Sequence, residues 1–293
     1  MYYIVYGLLW TVSLLPMPVL YLFSDFIYLL VYYVFKYRRH VVMHNLAIAF
    51  PEKSKQERTS IAKKFYRNFT DTFIETVKLV SAGRGFVEKS SQGDFKLMND
   101  LLSKGHNINA MVGHQFNWEF ANLSYALNLK APFVGIYMPI SNKAFDRIFF
   151  DIRKRYGTIL ISAQEFKTHM HQVFRSQYML GLGADQNPGY PGNAFWMDFF
   201  SKPAPFLTGP AKGAVKNNAA VVFVGMKKIK RGQYRFDTTL LTETAADKTP
   251  EELTLLYKNA LEKTIREDPP NYLWSHRRWK WEWKEEYGPI IRG

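Results

Sequence analysis

The chain has 293 residues, enough for one large domain with a substantial core, and 47% hydrophobic against 22% charged residues excludes an intrinsically disordered chain. It contains no cysteine, which excludes disulfides, thiolate nucleophiles and thiolate zinc sites. A formal charge of +14, from 39 basic and 25 acidic residues, favours an anionic partner: nucleic acid, anionic lipid or an acidic carrier protein.

Residues 1–35 carry one charged side chain, Asp25, and divide into two apolar arms around Pro16 and Pro18. The first arm ends at Leu15, short of the ~20 residues that a spanning helix needs; the second, Val19 to Phe35, comes close to that length. No basic run precedes the arms and no small-residue cleavage pattern follows, so a removable signal peptide is not expected. Lys36, Arg38 and Arg39 come next, which suits anionic head groups and places the remainder on the cytoplasmic side by the positive-inside tendency. A kinked span, a re-entrant or interfacial helix pair and a buried helical lid all fit this arm. The 7 Trp, 18 Tyr and 23 Phe favour an interface, while Asp25 opposes a simple span.

Further along, Phe50-Pro51-Glu52 breaks the chain, and Ser54 is the expected N-cap of a helix with apolar positions Ile61, Phe65, Phe69, Phe73, Ile74 and Val77. His40 and His44 share a helix face but lack a third ligand and sit among cations, so they read as surface or packing residues. Strands are predicted over 107–112, 131–137, 158–162, 178–184 and 219–226, with helices over 117–127, 142–156, 164–176 and 208–217 between them. Arg231-Gly232 reads as a hairpin tip before a strand over 234–241, and Thr249-Pro250 with Glu252 as a helix start. The alternation predicts an α/β fold: a mixed central sheet flanked by helices, behind an N-terminal apolar membrane-associated helical segment.

The stretch VGHQFNWEF holds His114 and Glu119 at a strand's carboxyl end, where a helix begins and where open α/β sheets bind ligands. A His beside a carboxylate can serve as a general base, the carboxylate fixing the tautomer and stabilising the imidazolium. The H-x-x-x-x-E spacing alone is weak and also fits two packed side chains. No G-x-S-x-G elbow or Walker loop is present, so the simplest use of His114 is to deprotonate a substrate hydroxyl that attacks an activated acyl group.

Several blocks then fall in order. They are YRRHVVMHNLAIAFPEKSKQER, GHQFNWEFA, FDIRKRYGTILIS, GADQNPG with FFSKPAPFLTGPAKGA, and YLWSHRRWK. In this sequence and spacing the chain resembles the bacterial late acyltransferases of lipid A, the lauroyl- and myristoyl-transferring kind, within the H-x-x-x-x-D/E glycerolipid acyltransferases. The resemblance implies acyl transfer from acyl carrier protein, or less often coenzyme A, to a lipid hydroxyl at the cytoplasmic face of the bacterial inner membrane. It implies His114 as general base oriented by Glu119, and Arg153 as a binder of phosphate or phosphopantetheine. Asp185 and Gln186 would shape the site floor, and Arg277 would be a further substrate-binding residue. No metal and no bound cofactor is implied. The expected division is a membrane-associated segment over 1–36 and an acyltransferase catalytic domain over 37–293.

Each of these residues has a plainer reading. Arg153 fits a solvated basic turn, Asp185 a turn former before Asn187-Pro188-Gly189, and Arg277 with Arg278 the bilayer surface or simple packing. The family often shows Asn or Asp where this chain has Gly113, which leaves the acceptor open. The alternatives are the same chemistry on an amino-acid lipid, glycolipid or lysophospholipid, a hydrolase in which water replaces the hydroxyl, and a non-enzymatic membrane lipid-binding protein. A nucleic-acid binder is disfavoured because the aromatic residues are not interleaved with the basic ones and the apolar arm would go unexplained.

Overall fold

A computed structural model describes residues 2–292; Met1 of the expected 1–36 segment and Gly293 of the expected 37–293 domain lie outside them. Two N-terminal helices, α1 (Tyr2–Ser13) and α2 (Met17–Leu29), meet at the Pro16-Met17-Pro18 break, and α2 runs on into one π turn, Leu30–Val34. Pro cannot extend a helix backwards but is tolerated in a first turn, which is where Pro18 sits. Helices α3 (Arg39–Ala49) and α4 (Lys55–Leu79) follow; Ser54 caps α4 as its sequence predicts, and Glu57 completes a capping box with it. Of the predicted α4 stripe, Phe65 and Ile74 are buried while Phe73 is 52% exposed. His40 and His44 are exposed on α3.

The rest of the chain then alternates helices and strands. In chain order it comprises α5 (Arg84–Ser90), β1 (Ser91–Gly93), α6 (Lys96–Ser103), β2 (Ile108–Val112), α7 (Trp118–Asn128), β3 (Phe133–Tyr137), α8 (Lys143–Lys154), β4 (Ile159–Ser162), α9 (Phe166–Val173) and β5 (Met179–Gly183). A hairpin of β6 (Ala194–Phe199) and β7 (Lys202–Leu207) precedes α10 (Gly209–Lys216), β8 (Ala220–Lys230), β9 (Gln233–Thr242), α11 (Pro250–Glu267) and the short β10 (Ile290–Ile291). The main sheet has seven strands in the order β1-β9-β8-β2-β5-β3-β4, and β10-β6-β7 form a second sheet. Neighbours in the main sheet are parallel except β8 with β9, so the predicted mixed sheet flanked by helices is observed.

Both faces of the main sheet are covered, which is why its central strands are near-continuous apolar runs. On one face Met111, Val221 and Phe223 pack with Tyr257 and Leu261 of α11 and with α3 and α4. On the other, Ile108, Ala110, Val222 and Val224 pack with Phe120 and Leu123 of α7 and with α5 and α6. The N-terminal segment joins these clusters: Tyr28 and Tyr32 belong to the first, while Tyr2, Val5 and Leu9 pack against the second.

Candidate active site

His114 lies just beyond the carboxyl end of β2, and Asp185 just beyond that of β5. The two strands are paired in parallel with Val112 opposite Gly183, so continuing the register sets His114 opposite Asp185. Asp185 Oδ2 accepts the His114 backbone N–H at 2.9 Å, and Oδ1 lies 2.5 Å from the ring nitrogen Nδ1. The Asp185 side chain is 2% exposed and the His114 side chain 28%, so the carboxylate holds the ring from behind and the imidazole stays reachable.

The surroundings fix this ring tightly. The His114 carbonyl accepts from the Leu273 N–H at 3.0 Å, and Tyr257 Oη donates to the Val112 carbonyl at 3.0 Å. A Cβ on Gly183 would lie 2.9 Å from His114 Cε1, so glycine is what lets the ring lie over β5. A Cβ on Gly113 would lie 2.4 Å from Leu261 Cδ1, and Leu261 is fully buried. Glycine at this position leaves room for the Leu261 side chain of α11.

The sequence led to the expectation that Glu119 orients His114; in the structure His114 Nδ1 pairs with Asp185, and the Glu119 carboxylate pairs with Arg153. Arg153, in the last turn of α8, donates to it from Nε at 3.1 and 2.9 Å and from Nη2 at 2.5 Å. The indole N–H of Trp118 adds a contact at 3.2 Å. Asn117 caps α7 by accepting from the Glu119 N–H at 3.2 Å, which turns Glu119 into the first helical turn and toward α8. The Asn117 amide also donates to the fully buried Glu75 of α4 at 3.1 Å, tying the helix start to the helix behind it. Neither Asn117 nor Glu75 stood out in the sequence, because their partnership joins distant elements.

A cavity of about 730 Å³ opens beside the imidazole. Ala110, Gly181 and Gly135 stand on one rung of β2, β5 and β3, and their missing side-chain bulk leaves the space between sheet and α7. Tyr125, Phe133, Leu160 and Phe174 give it apolar walls; His114, Glu119, Arg153, Gln186 and Asn187 supply its polar groups. Asp185 is behind the imidazole and not on the cavity floor, because the β2–β5 register brings it to the ring. Arg277 is not on the cavity wall either: its side chain is exposed, and its carbonyl accepts from the Asn187 amide at 2.6 Å.

Electrostatics follow from the pairing. Burial pushes the His114 imidazole down, but the charge and hydrogen bond of Asp185 outweigh it and hold the group above its ordinary value. Burial pushes Asp185 up, yet His114, two hydrogen bonds from it, and the nearby Arg278 charge bring the carboxyl down to about 2. Burial alone would lower Arg153, and the Glu119 carboxylate raises it instead. An imidazole bound to a carboxylate at Nδ1 and free of it at Nε2 can take a proton from a hydroxyl and return it to a leaving group. Among the described residues no group of three or more His, Asp or Glu is arranged to hold a metal.

The family model described as bacterial lipid A biosynthesis acyltransferase matches residues 1–281. The chain is similar to the lipid A biosynthesis lauroyltransferase of Escherichia coli strain K12, with 25% identity covering 94% of this chain and 89% of that protein. It matches the lipid A biosynthesis palmitoleoyltransferase of the same organism at 25% identity, again over 94% and 89%. A lipid A biosynthesis acyltransferase of Shigella flexneri is similar at the same identity and coverage, 25% over 94% and 89%.

Proposed function

The chain belongs to the bacterial lipid A biosynthesis acyltransferases, and we propose that it moves a fatty acyl chain from acyl carrier protein, or from coenzyme A, to a hydroxyl of a lipid A precursor at the cytoplasmic face of the bacterial inner membrane. The observation that carries this reading is the carboxylate-held His114 at an apolar cavity of about 730 Å³. Residues 1–36 serve as the membrane-associated segment and 37–293 as the catalytic unit.

In this mechanism the acyl chain of a thioester occupies the cavity and its carbonyl carbon comes to rest near His114. Nε2 removes the proton from the acceptor hydroxyl as its oxygen attacks that carbon. Asp185 keeps the proton on Nδ1 and stabilises the imidazolium. The tetrahedral intermediate collapses with the new C–O bond formed and the C–S bond broken, and Nε2 returns the proton to the departing thiolate. The products are an ester and a thiol, and no side chain is acylated. Glu119 acts as a positioning residue that holds Arg153 at the cavity, where the guanidinium attracts a phosphate of the donor's phosphopantetheine. Gln186, which also lines the cavity, contacts the substrate.

The test is an assay in detergent micelles that offers acyl carrier protein or coenzyme A thioesters, with and without an under-acylated lipid A precursor. Acylated lipid formed only in the presence of the precursor is the expected result. Free fatty acid formed without any acceptor would replace transfer by hydrolysis, and turnover only with a different acceptor lipid would replace the precursor. For the donor-binding role, Arg153→Ala should raise KM for the thioester more than it lowers kcat.

A further inference from the structure

The apolar segment Met17–Val34 has the length and composition of a membrane span, but its packing argues against one. Its helix lies antiparallel along α4 for its whole length. Tyr21 Oη donates to Glu75 at 2.9 Å, Ser24 Oγ to Asp71 at 2.7 Å, Arg67 stacks 5.0 Å from the Tyr28 ring, and Tyr32 meets Tyr66 at 5.3 Å. Each step up α2 is a step down α4. The one acidic residue of the segment is part of this seam: Asp25 pairs at 2.8 Å with Arg231 of the β8–β9 tip, and Arg231 pairs in turn with Asp71 at 2.7 Å. α4 also exposes Lys63, Lys64 and Arg67, so it cannot follow α2 into hydrocarbon.

α1 is bound in the same manner. Lys78 donates to the carbonyls of Ser13 and Leu15 at 2.8 and 3.1 Å, satisfying the end of the helix. Its Tyr2, Val5 and Leu9 face the core. What remains outside is mainly apolar: Ile4 is 77% exposed, Leu8 65%, Leu14 53%, Leu22 70%, Phe26 60% and Val34 63%, with the Asp25 side chain half exposed in its pair with Arg231. Exposed Lys36 and Arg38 follow at the end of α2.

We propose that α1 and α2 lie flat in the interface of an anionic bilayer, on the same side as the catalytic body, and do not cross it. This rests on the membrane-associated reading of the enzyme. Both helices bury one face on the protein and offer the other to lipid, while the basic residues at the end of α2 meet the head groups.

Because the chain has no cysteine, single-cysteine variants of the full-length protein can carry a fluorophore at a chosen depth. Leu14→Cys, Phe26→Cys and Val34→Cys are labelled with an environment-sensitive dye and bound to vesicles of mixed phosphatidylcholine and phosphatidylglycerol containing spin-labelled lipids. Quenching that puts all three at one shallow depth, roughly 5–10 Å below the head-group boundary, is the expected result. Phe26 near the bilayer centre, about 15 Å from that boundary, with Leu14 and Val34 near opposite surfaces, would establish a span and overturn the proposal. Failure of wild type to float with the vesicles would instead refute the membrane reading beneath it. Protection of all three labels by dimer formation without lipid would assign the face to a second copy and refute both.

Discussion

Asp185 is enclosed on all sides, so its charge reaches His114 with little screening by solvent, and in the proposed mechanism this sets the acid side of the reaction. In the proposed mechanism His114 acts as a base only when neutral, and Asp185 holds its proton affinity above the ordinary value of about 6.5. As pH falls through that raised value the neutral ring is lost and the rate falls with it. The acid limb of kcat/KM for the wild type is therefore expected above pH 6.5, and Asp185→Asn should move it to lower pH while also reducing kcat. Glu119→Gln should behave differently. It strips Arg153, whose side chain is only 18% exposed, of its carboxylate, and breaking a largely buried pair of this kind costs on the order of 3–5 kcal/mol. Lower thermal stability with an unmoved acid limb is the expected result; an acid limb that shifts with Glu119 and not with Asp185 would restore Glu119 as the partner of the imidazole.

At the scale of elements, the cavity is shaped by what β2, β3 and β5 leave out. A Cβ on Gly181 would lie 2.8 Å from the Phe133 ring, so glycine is what lets that ring lie against β5 as a wall of the cavity. Leu160 lines the cavity from β4, and Leu160→Phe would add bulk there. It should shift the preferred donor to a shorter acyl chain in a competition among thioesters of several lengths; an unchanged product distribution would mean that the acyl chain lies elsewhere. The elements themselves were legible in the sequence where their signals are local. The capping boxes at Ser54 and Thr249, the strand ending at Val112 and the helix beginning after Asn142 all carry their markers within a few residues. The β6–β7 hairpin was not legible, because Pro203 and Pro205 in β7 disguise a strand that tolerates them at positions opposite Asp198 and Trp196. The partner of His114 was not legible for another reason. Glu119 is close in sequence, but Asp185 is 71 residues away and reaches the ring only through the register of two parallel strands. No local spacing encodes that register.

For the molecule as a whole, a charge of +14 and an apolar N-terminal face call for surfaces of opposite kinds. If the donor is an acidic carrier protein, encounter is steered by long-range charge, which salt weakens as the screening length falls from about 10 Å at 0.1 M to about 3 Å at 1 M. KM for acyl carrier protein should rise with ionic strength while kcat holds; a KM indifferent to salt would remove the electrostatic argument for that donor. The proposed acyl transfer nevertheless depends on one side chain, His114. The most direct measurement is kcat/KM for acyl transfer by His114→Ala beside the wild type, with circular dichroism showing both folded. The account predicts a loss of roughly 10²–10⁴-fold, the contribution of a positioned general base. Turnover equal to the wild type would contradict it, and the proton would then have to leave the acceptor hydroxyl by another route.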